Sequence, residues 1–306
     1  MLSLWYNEEK LAPYFLSHYE WADEFLILID ADSTDRSAVI AQANAKVRTE
    51  LFRFANGWDD EFRINEINRI ANSIFADWVV VVDADELIFS RTYASVRDEL
   101  SVETADLIFA RMWQTYANRS EKPLDPAKST LFQRRCADPN RTKGKNALYN
   151  KPVVFRPGRG VELSIGCHFF RANVPLRVSE NYLYGVHWAN ADYEIAVERQ
   201  VRNRANRHAK VNIERGHSSH QIGVTELSVL EVCVAHRDVP RVLLPRQVMK
   251  FARLLGDWRN AAKRPGRQLT VNDPSVWRAG THWDPIDVYF DTKARLVHLL
   301  TRLFRF

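Results

Sequence analysis

The sequence predicts an α/β fold, with a mostly parallel sheet flanked by helices and a mainly helical C-terminal region. Three observations carry that reading. Residues 1–90 alternate between short apolar runs and stretches whose apolar positions recur at helical spacing. The connections between them are short, and strand, helix, strand in that order implies parallel pairing. The runs Phe25 to Ile29 and Trp78 to Val82 are continuously apolar, as strands covered on both faces must be.

Each element has its own signal. Leu2 to Tyr6 is a short strand. Asn7-Glu8-Glu9 reads as a helix start, with Asn7 as N-cap and two carboxylates at the positive helix end. Leu11, Tyr14, Phe15 and His18 then form its inner face. Phe25 to Ile29 is a second strand, ending at Asp30, and Ser33 and Asp35 can cap a helix around Ser37 to Ala45. Val47 to Phe54 is a third strand. Asp59 and Asp60 precede a helix bearing Ile67, Ile70, Ala71 and Ile74 at helical spacing. Trp78 to Val82 is the clearest strand and ends in Asp83.

Beyond it the pattern loosens. Leu107 to Trp113, Lys151 to Arg156 and Gly166 to Phe170 read as strands, and the polar, proline-bearing stretch Gln114 to Asn150 as surface loops. Tyr193 to Arg207 is helical, with Tyr193, Ala196, Val197 and Val201 on one face. A catalytic domain over 1–217 and a helical region over 218–306 are expected. Lys293 to Phe306 mixes Leu and Phe with Lys and Arg, the make-up of a basic amphipathic helix. Such a helix docks on its own core or lies at a membrane face.

Composition excludes several classes. The chain has 306 residues, 46% hydrophobic and 26% charged, enough for a full core. Its net charge of +5 and pI near 9.1 arise mostly from the C-terminal half, Arg199 to Arg215 included, which reads as a solvated helical face. No recognised nucleic-acid motif accompanies that charge, so no nucleic-acid partner is expected. Cys136, Cys167 and Cys233 are too widely spaced for a metal site or disulfide framework. With no visible signal peptide and no apolar span, the expected location is cytoplasmic, with the inner membrane face as a possible station for residues 293–306.

Asp83-Ala84-Asp85-Glu86 carries the main chemical signal. Two carboxylates one residue apart at a strand end can face the same side, and a hard divalent ion takes one or two carboxylates plus phosphate oxygens. A bare pair of this kind more often solvates a turn, but here a strong strand precedes it and a second acidic strand end, Asp30-Ala31-Asp32, lies beside it. In open α/β sheets ligands bind at the carboxyl ends of the strands. A carboxylate of the second cluster can accept hydrogen bonds from a nucleoside, and Tyr6 offers a ring for a base, or simply fills the core.

Trp5-Tyr6-Asn7-Glu8-Glu9, Asp30-Ala31-Asp32-Ser33-Thr34-Asp35 and Ala76-Asp77-Trp78-Val79-Val80-Val81-Val82-Asp83-Ala84-Asp85-Glu86 together resemble the family 2 glycosyltransferases of GT-A, Rossmann-like fold. Weaker echoes follow in Lys151 to Pro157, in Cys167-His168-Phe169-Phe170 and in Val186-His187-Trp188. The resemblance implies inverting transfer of a sugar from a nucleotide-diphosphate donor to a hydroxyl of a glycan or lipid-linked glycan, with Mn²⁺ or Mg²⁺. It implies that Tyr6, Asn7, Asp30 or Asp32, and Asp83 hold the donor. Asp85 becomes the direct metal ligand, Asp83 a metal or ribose contact, and His187 the late histidine ligand, with His168 second. Ala31 stands where many members carry an Asp, which leaves Asp30 and Asp32 as alternatives.

A general base is required to take the acceptor's proton, and Asp138, Glu162 and Glu121 are the candidates, with Glu86 beside the motif. Arg63, Arg69, Arg199 and Arg202 read as surface charges, with phosphate binding as the alternative. Trp113 is a candidate acceptor wall or a core residue. Two rival readings stand. Ile27 to Thr34 approaches the motif of a haloacid dehalogenase-like phosphohydrolase with Asp30 as nucleophile, although Thr34 comes one position late. A non-catalytic nucleotide-binding module is the other.

Overall fold

The computed structural model describes residues 1–90, 95–116, 122–128, 133–134, 136–138, 150–204, 207–208, 210–217, 223–235, 242–243 and 267–269. The elements run β1 (Leu2–Trp5), α1 (Ala12–His18), β2 (Phe25–Asp30), α2 (Ser37–Gln42), β3 (Val47–Phe52), α3 (Asp60–Ser73), β4 (Val79–Val80) and β5 (Glu86–Phe89). There follow α4 (Val96–Val102), β6 (Leu107–Tyr116), β7 (Cys136–Asp138), β8 (Asn150–Phe155), β9 (Val161–Leu163), β10 (Phe170–Ala172) and β11 (Leu176–Asn190). The last are α5 (Tyr193–Val197), a π-helical turn Glu198–Arg204, α6 (Lys210–Glu214), α7 (Glu226–Ala235), β12 (Val242–Leu243) and β13 (Arg267–Leu269).

The predicted α/β class holds. β1, β2 and β3 are parallel, paired from Leu2↔Leu26 and Phe25↔Val47 onward. A parallel bridge, Leu2↔Val81, and the bond from Val82 N–H to the Leu2 carbonyl join β1 to the chain after β4. The sheet then continues through β8 and β6, each antiparallel to its neighbour, to β11, which runs parallel to β6 and carries β5 antiparallel on its other side. So the half built from short strand–helix–strand units is parallel and the half built later is mixed. β9 and β10 form a separate hairpin.

The helices cover the sheet as their apolar stripes require. Phe15 of α1 and Tyr19 at its C-terminal end are fully buried; Phe15 meets Trp5 edge-on at 5.4 Å and Phe25 at 6.3 Å. Just past α1, the Tyr19 hydroxyl donates to the Glu86 carbonyl at 2.7 Å and accepts from Ile88 N–H at 2.9 Å, which ties this helix to β5. α3 begins as its sequence asks: Asp59 is extended and accepts from the N–H groups of Glu61 and Phe62, both at 3.0 Å.

Two expectations are corrected. Asn7 is not a helix N-cap: α1 starts at Ala12, with Pro13 in its first turn, and Asn7 has a left-handed φ of 50°. Its side chain instead holds the loop after β2. The stretch Gly166 to Phe170 is not a strand, because Gly166 (φ 73°) and Cys167 (φ 56°) are left-handed and a 3₁₀ turn occupies Ile165–Cys167. At the C-terminal side, α7 packs Val229 against Ala196 and Val197, while β12 and β13 add short strands to β7 and β11. Residues 293–306 lie outside the described residues.

Candidate active site

The carboxyl ends of β1 and β2 and the chain that leaves β4 through Val82 open on one edge of the sheet, and the side chains there form two adjoining groups. The first is built by the loop after β1. The Asn7 side-chain Oδ1 accepts from Thr34 N–H at 2.8 Å and Asp35 N–H at 3.3 Å; Glu8 N–H donates to Ser37 Oγ at 2.6 Å and Glu9 N–H to Asp35 Oδ2 at 2.8 Å. These bonds lock the two loops together and set the Tyr6 ring beside Asp30, whose residue is 1% exposed. Asp32 N–H donates to Asp30 Oδ1 at 3.0 Å, while the Asp32 side chain stays exposed.

The second group is Asp83, Asp85, Glu86 and His187. Pairing of Glu86 with His187 across β5 and β11 brings residues far apart in sequence into contact. His187 Nε2 lies 3.1 Å from Asp85 Oδ2, and His187 Nδ1 lies 2.7 Å from Gln114 Oε1 on β6. The Gln114 amide nitrogen donates to the carbonyls of Thr115 (3.1 Å) and His187 (3.2 Å), so its oxygen is the atom that faces the imidazole. Nδ1 must therefore donate to it. In the neutral ring Nε2 then presents a lone pair toward a carboxylate, an arrangement that requires a proton or a cation between them.

That donor set bears directly on the expected metal. Among the described residues no group of three or more His, Cys, Asp or Glu side chains could hold an ion, so the protein offers a pair, Asp85 and His187. Their 3.1 Å separation matches adjacent ligands of an octahedral ion with bonds of about 2.1 Å. A hard ion of this kind keeps waters and substrate phosphates in its other positions, so the pair fits a site completed by a diphosphate. Asp83 faces elsewhere, paired with Arg63 at 2.5 Å.

Arginines neutralise these carboxylates, and this is where expectation and structure differ most. Arg63 and Arg199, read from sequence as surface charges, are buried. Arg199 donates to both oxygens of Glu8 at 2.8 Å and to Asp85 Oδ2 at 2.6 Å. Arg204 adds a bond to Glu8 at 2.9 Å. Arg207 forks onto Asp30 at 2.9 and 3.0 Å and reaches Asp32 at 2.9 Å, with its guanidinium carbon 3.5 Å from the centre of the Tyr6 ring. The run from Arg199 to Arg207 thus straps the acidic edge. Burial alone would push both carboxyls up, but Arg199 holds Asp85 well below the ordinary range, and Arg63 and Lys151 hold Asp83 below it. Glu86 is the exception: burial raises it against the opposing Lys151, whose ammonium contacts it.

Asp138 on β7 pairs in register with Gln114 on β6, the strand that lies between β7 and His187 on β11. Glu162 stands on the separate β9–β10 hairpin with its carboxylate bonded to Arg171 at 2.5 Å, and nothing brings it together with Asp83 or Asp85. Trp113 is opposite Val186 in the β6–β11 register, and its side chain lies outside the described atoms. Glu121 also lies outside the described residues. His168 follows the 3₁₀ turn, and Arg69 and Arg202 are surface charges beside Glu66 and Glu226. Asp30, the nucleophile of the phosphohydrolase reading, has both oxygens engaged by Arg207. Glu8, Gln114, Arg204 and Arg207 were not among the site residues expected from the sequence. The dense arginines after Tyr193 were the available signal.

No family model matches the chain, and no curated protein matches its sequence. Among solved structures it is similar to S. aureus TarS, at 13% identity over 77% of this chain and 42% of that one, with a TM-score of 0.36. It therefore spans about two-fifths of the TarS chain. It is also similar to the TarS 1–349 fragment in complex with UDP-GlcNAc (15% identity, 85% of this chain and 80% of that one, TM-score 0.35). For the same fragment in complex with UDP the figures are 14%, 77%, 71% and 0.33. At these scores the likeness is descriptive, and the site's own geometry carries the reading.

Proposed function

We propose that this chain is a glycosyltransferase that takes a sugar from a nucleoside diphosphate donor and passes it to a hydroxyl acceptor. The observation that carries this is the Asp85–His187 pair, with Nδ1 of His187 committed to Gln114 and Nε2 turned to the carboxylate. Beside it lie a tyrosine ring and a buried carboxylate suited to a base, and a row of arginines suited to a diphosphate. Asp85 and His187 would hold Mn²⁺ or Mg²⁺, which when bound offsets the charge of the departing diphosphate. Arg63 and Arg199 keep Asp83 and Asp85 ionised, and Asn7 fixes the loop that carries Asp30.

Transfer is proposed as a single displacement with inversion. The acceptor oxygen bonds to the anomeric carbon as the bond from that carbon to the diphosphate oxygen breaks, and a carboxylate takes the hydroxyl proton. Asp138 is the proposed base, through its register opposite Gln114. The acceptor is proposed as a glycan or lipid-linked glycan, reached at the cytoplasmic membrane face.

The test is a thermal-denaturation screen of the full chain against nucleoside diphosphates and their sugars, with and without Mn²⁺. At ~100-fold excess over Kd a specific ligand adds about 2.7 kcal/mol of stability. A metal-dependent rise with one nucleotide is the expected result. Uniform absence of any rise rules the reading out.

A further inference from the structure

The base slot proposed above is already filled by a side chain of this protein. Arg207 lies flat enough on Tyr6 to put its central carbon 3.5 Å from the ring centre, and Trp58 is 5.8 Å away. Its two terminal nitrogens donate in parallel to the two oxygens of Asp30 at 2.9 and 3.0 Å. A flat, cationic fork on an aromatic face and a buried carboxylate is an efficient way to occupy such a slot.

The pattern of donors is informative because one nucleobase repeats it. Guanine contains a guanidine unit in its ring edge, and its N1–H and N2–H point the same way, ready for both oxygens of one carboxylate. Uracil offers a single N–H between two carbonyls, so one Asp30 oxygen would face an acceptor. Cytosine and adenine carry an exocyclic donor next to a ring acceptor, with the same defect. Asp30 has little freedom to adapt, since it is buried and Oδ1 also accepts Asp32 N–H.

Release of Arg207 needs no rearrangement of the main chain at this point. Its carbonyl accepts from Trp58 N–H at 2.8 Å, and His208 bridges Trp58, so the backbone is pinned and release breaks only the side chain's contacts with Asp30, Asp32 and Tyr6. A cleft lined by Tyr6, Trp58, Arg204 and His208 adjoins it.

We infer that the Tyr6–Asp30 slot takes guanine, and that Arg207 is its internal stand-in, expelled when a guanosine diphosphate donor binds. The inference rests on the nucleotide-binding reading of this site. It has a thermodynamic consequence: the apparent affinity is lowered by the fraction of molecules with the slot open. Removing the stand-in tightens binding, whereas removing a phosphate-binding arginine weakens it.

The experiment is calorimetric titration of the full chain with GDP, UDP, CDP and ADP in Mn²⁺, on wild type, Arg207→Ala and Asp30→Asn. Wild type is expected to prefer GDP by at least about tenfold, the scale of one bidentate base contact. Arg207→Ala is expected to bind GDP about tenfold tighter or more, as for a slot open in ~10% of molecules or fewer. Asp30→Asn is expected to lose the preference for GDP. Weaker or unchanged binding by Arg207→Ala overturns the stand-in, and a preference for UDP, CDP or ADP overturns the guanine assignment. Failure of every nucleotide on both wild type and Arg207→Ala removes the underlying reading instead, so the two failures are told apart.

Discussion

Single residues decide the chemistry here, and Gln114 shows how. It is not itself an expected ligand, yet its oxygen holds Nδ1 of His187 at 2.7 Å and so fixes which nitrogen faces Asp85. Partners of this outer kind typically change metal affinity by about 10–100-fold when removed. Gln114→Ala is expected to weaken Mn²⁺ binding by about that factor in calorimetry, and Gln114→Glu, which still accepts from Nδ1, to retain most of it. Equal loss in both variants would reduce Gln114 to packing. Asp85 stood out in the sequence because a strong strand and a short motif mark it, whereas His187 was singled out only by the family resemblance. Gln114 was not: its contact with His187 spans 73 positions and depends on the β6–β11 register, for which no local pattern exists.

At the scale of elements, the arginine strap is the feature that sequence patterning misjudged. Its helical spacing was legible, and α5 with the π-helical turn occupies the span through Arg204. Its facing was not, because an arginine-rich surface reads as solvated until carboxylates are known to lie beneath it. Arg199 is 3% exposed and serves both Glu8 and Asp85. Breaking a buried pair from one side leaves uncompensated charge and costs about 3–5 kcal/mol. Arg199→Met is expected to lower the urea midpoint accordingly, and adding Glu8→Gln to recover part of the loss; no change in the single variant would contradict the strap. The same scale explains α3, whose start was read correctly from Asp59 because an N-cap is a local signal.

Over the whole molecule, the parallel half of the sheet followed from short strand–helix–strand repeats. The mixed half did not, since β8, β6, β11 and β5 pair across long and irregular connections. The charge network also sets a pH response. Burial lowers His18 to about 4, with its Nε2 donating to the Ile88 carbonyl at 2.7 Å, so its contribution is full above the unfolded value near 6.5 and is lost as pH falls from there toward 4. Asp83 and Asp85, held low, contribute fully above the ordinary carboxylate value of about 4 and lose that below it; Glu86, held high, works in the opposite sense. Denaturation midpoints measured from pH 8 to 3 are expected to include a decline between about 6.5 and 4, and His18→Gln to remove that part of it.

The most direct measurement is manganese binding by electron paramagnetic resonance, with and without a nucleoside diphosphate, in wild type and Asp85→Asn. Wild type is expected to capture the ion in a nucleotide-dependent way, and the variant to bind it more weakly by more than the roughly 100-fold that an outer partner can cost. Equal capture by both proteins, or none by wild type with any nucleotide, would contradict the proposed metal site.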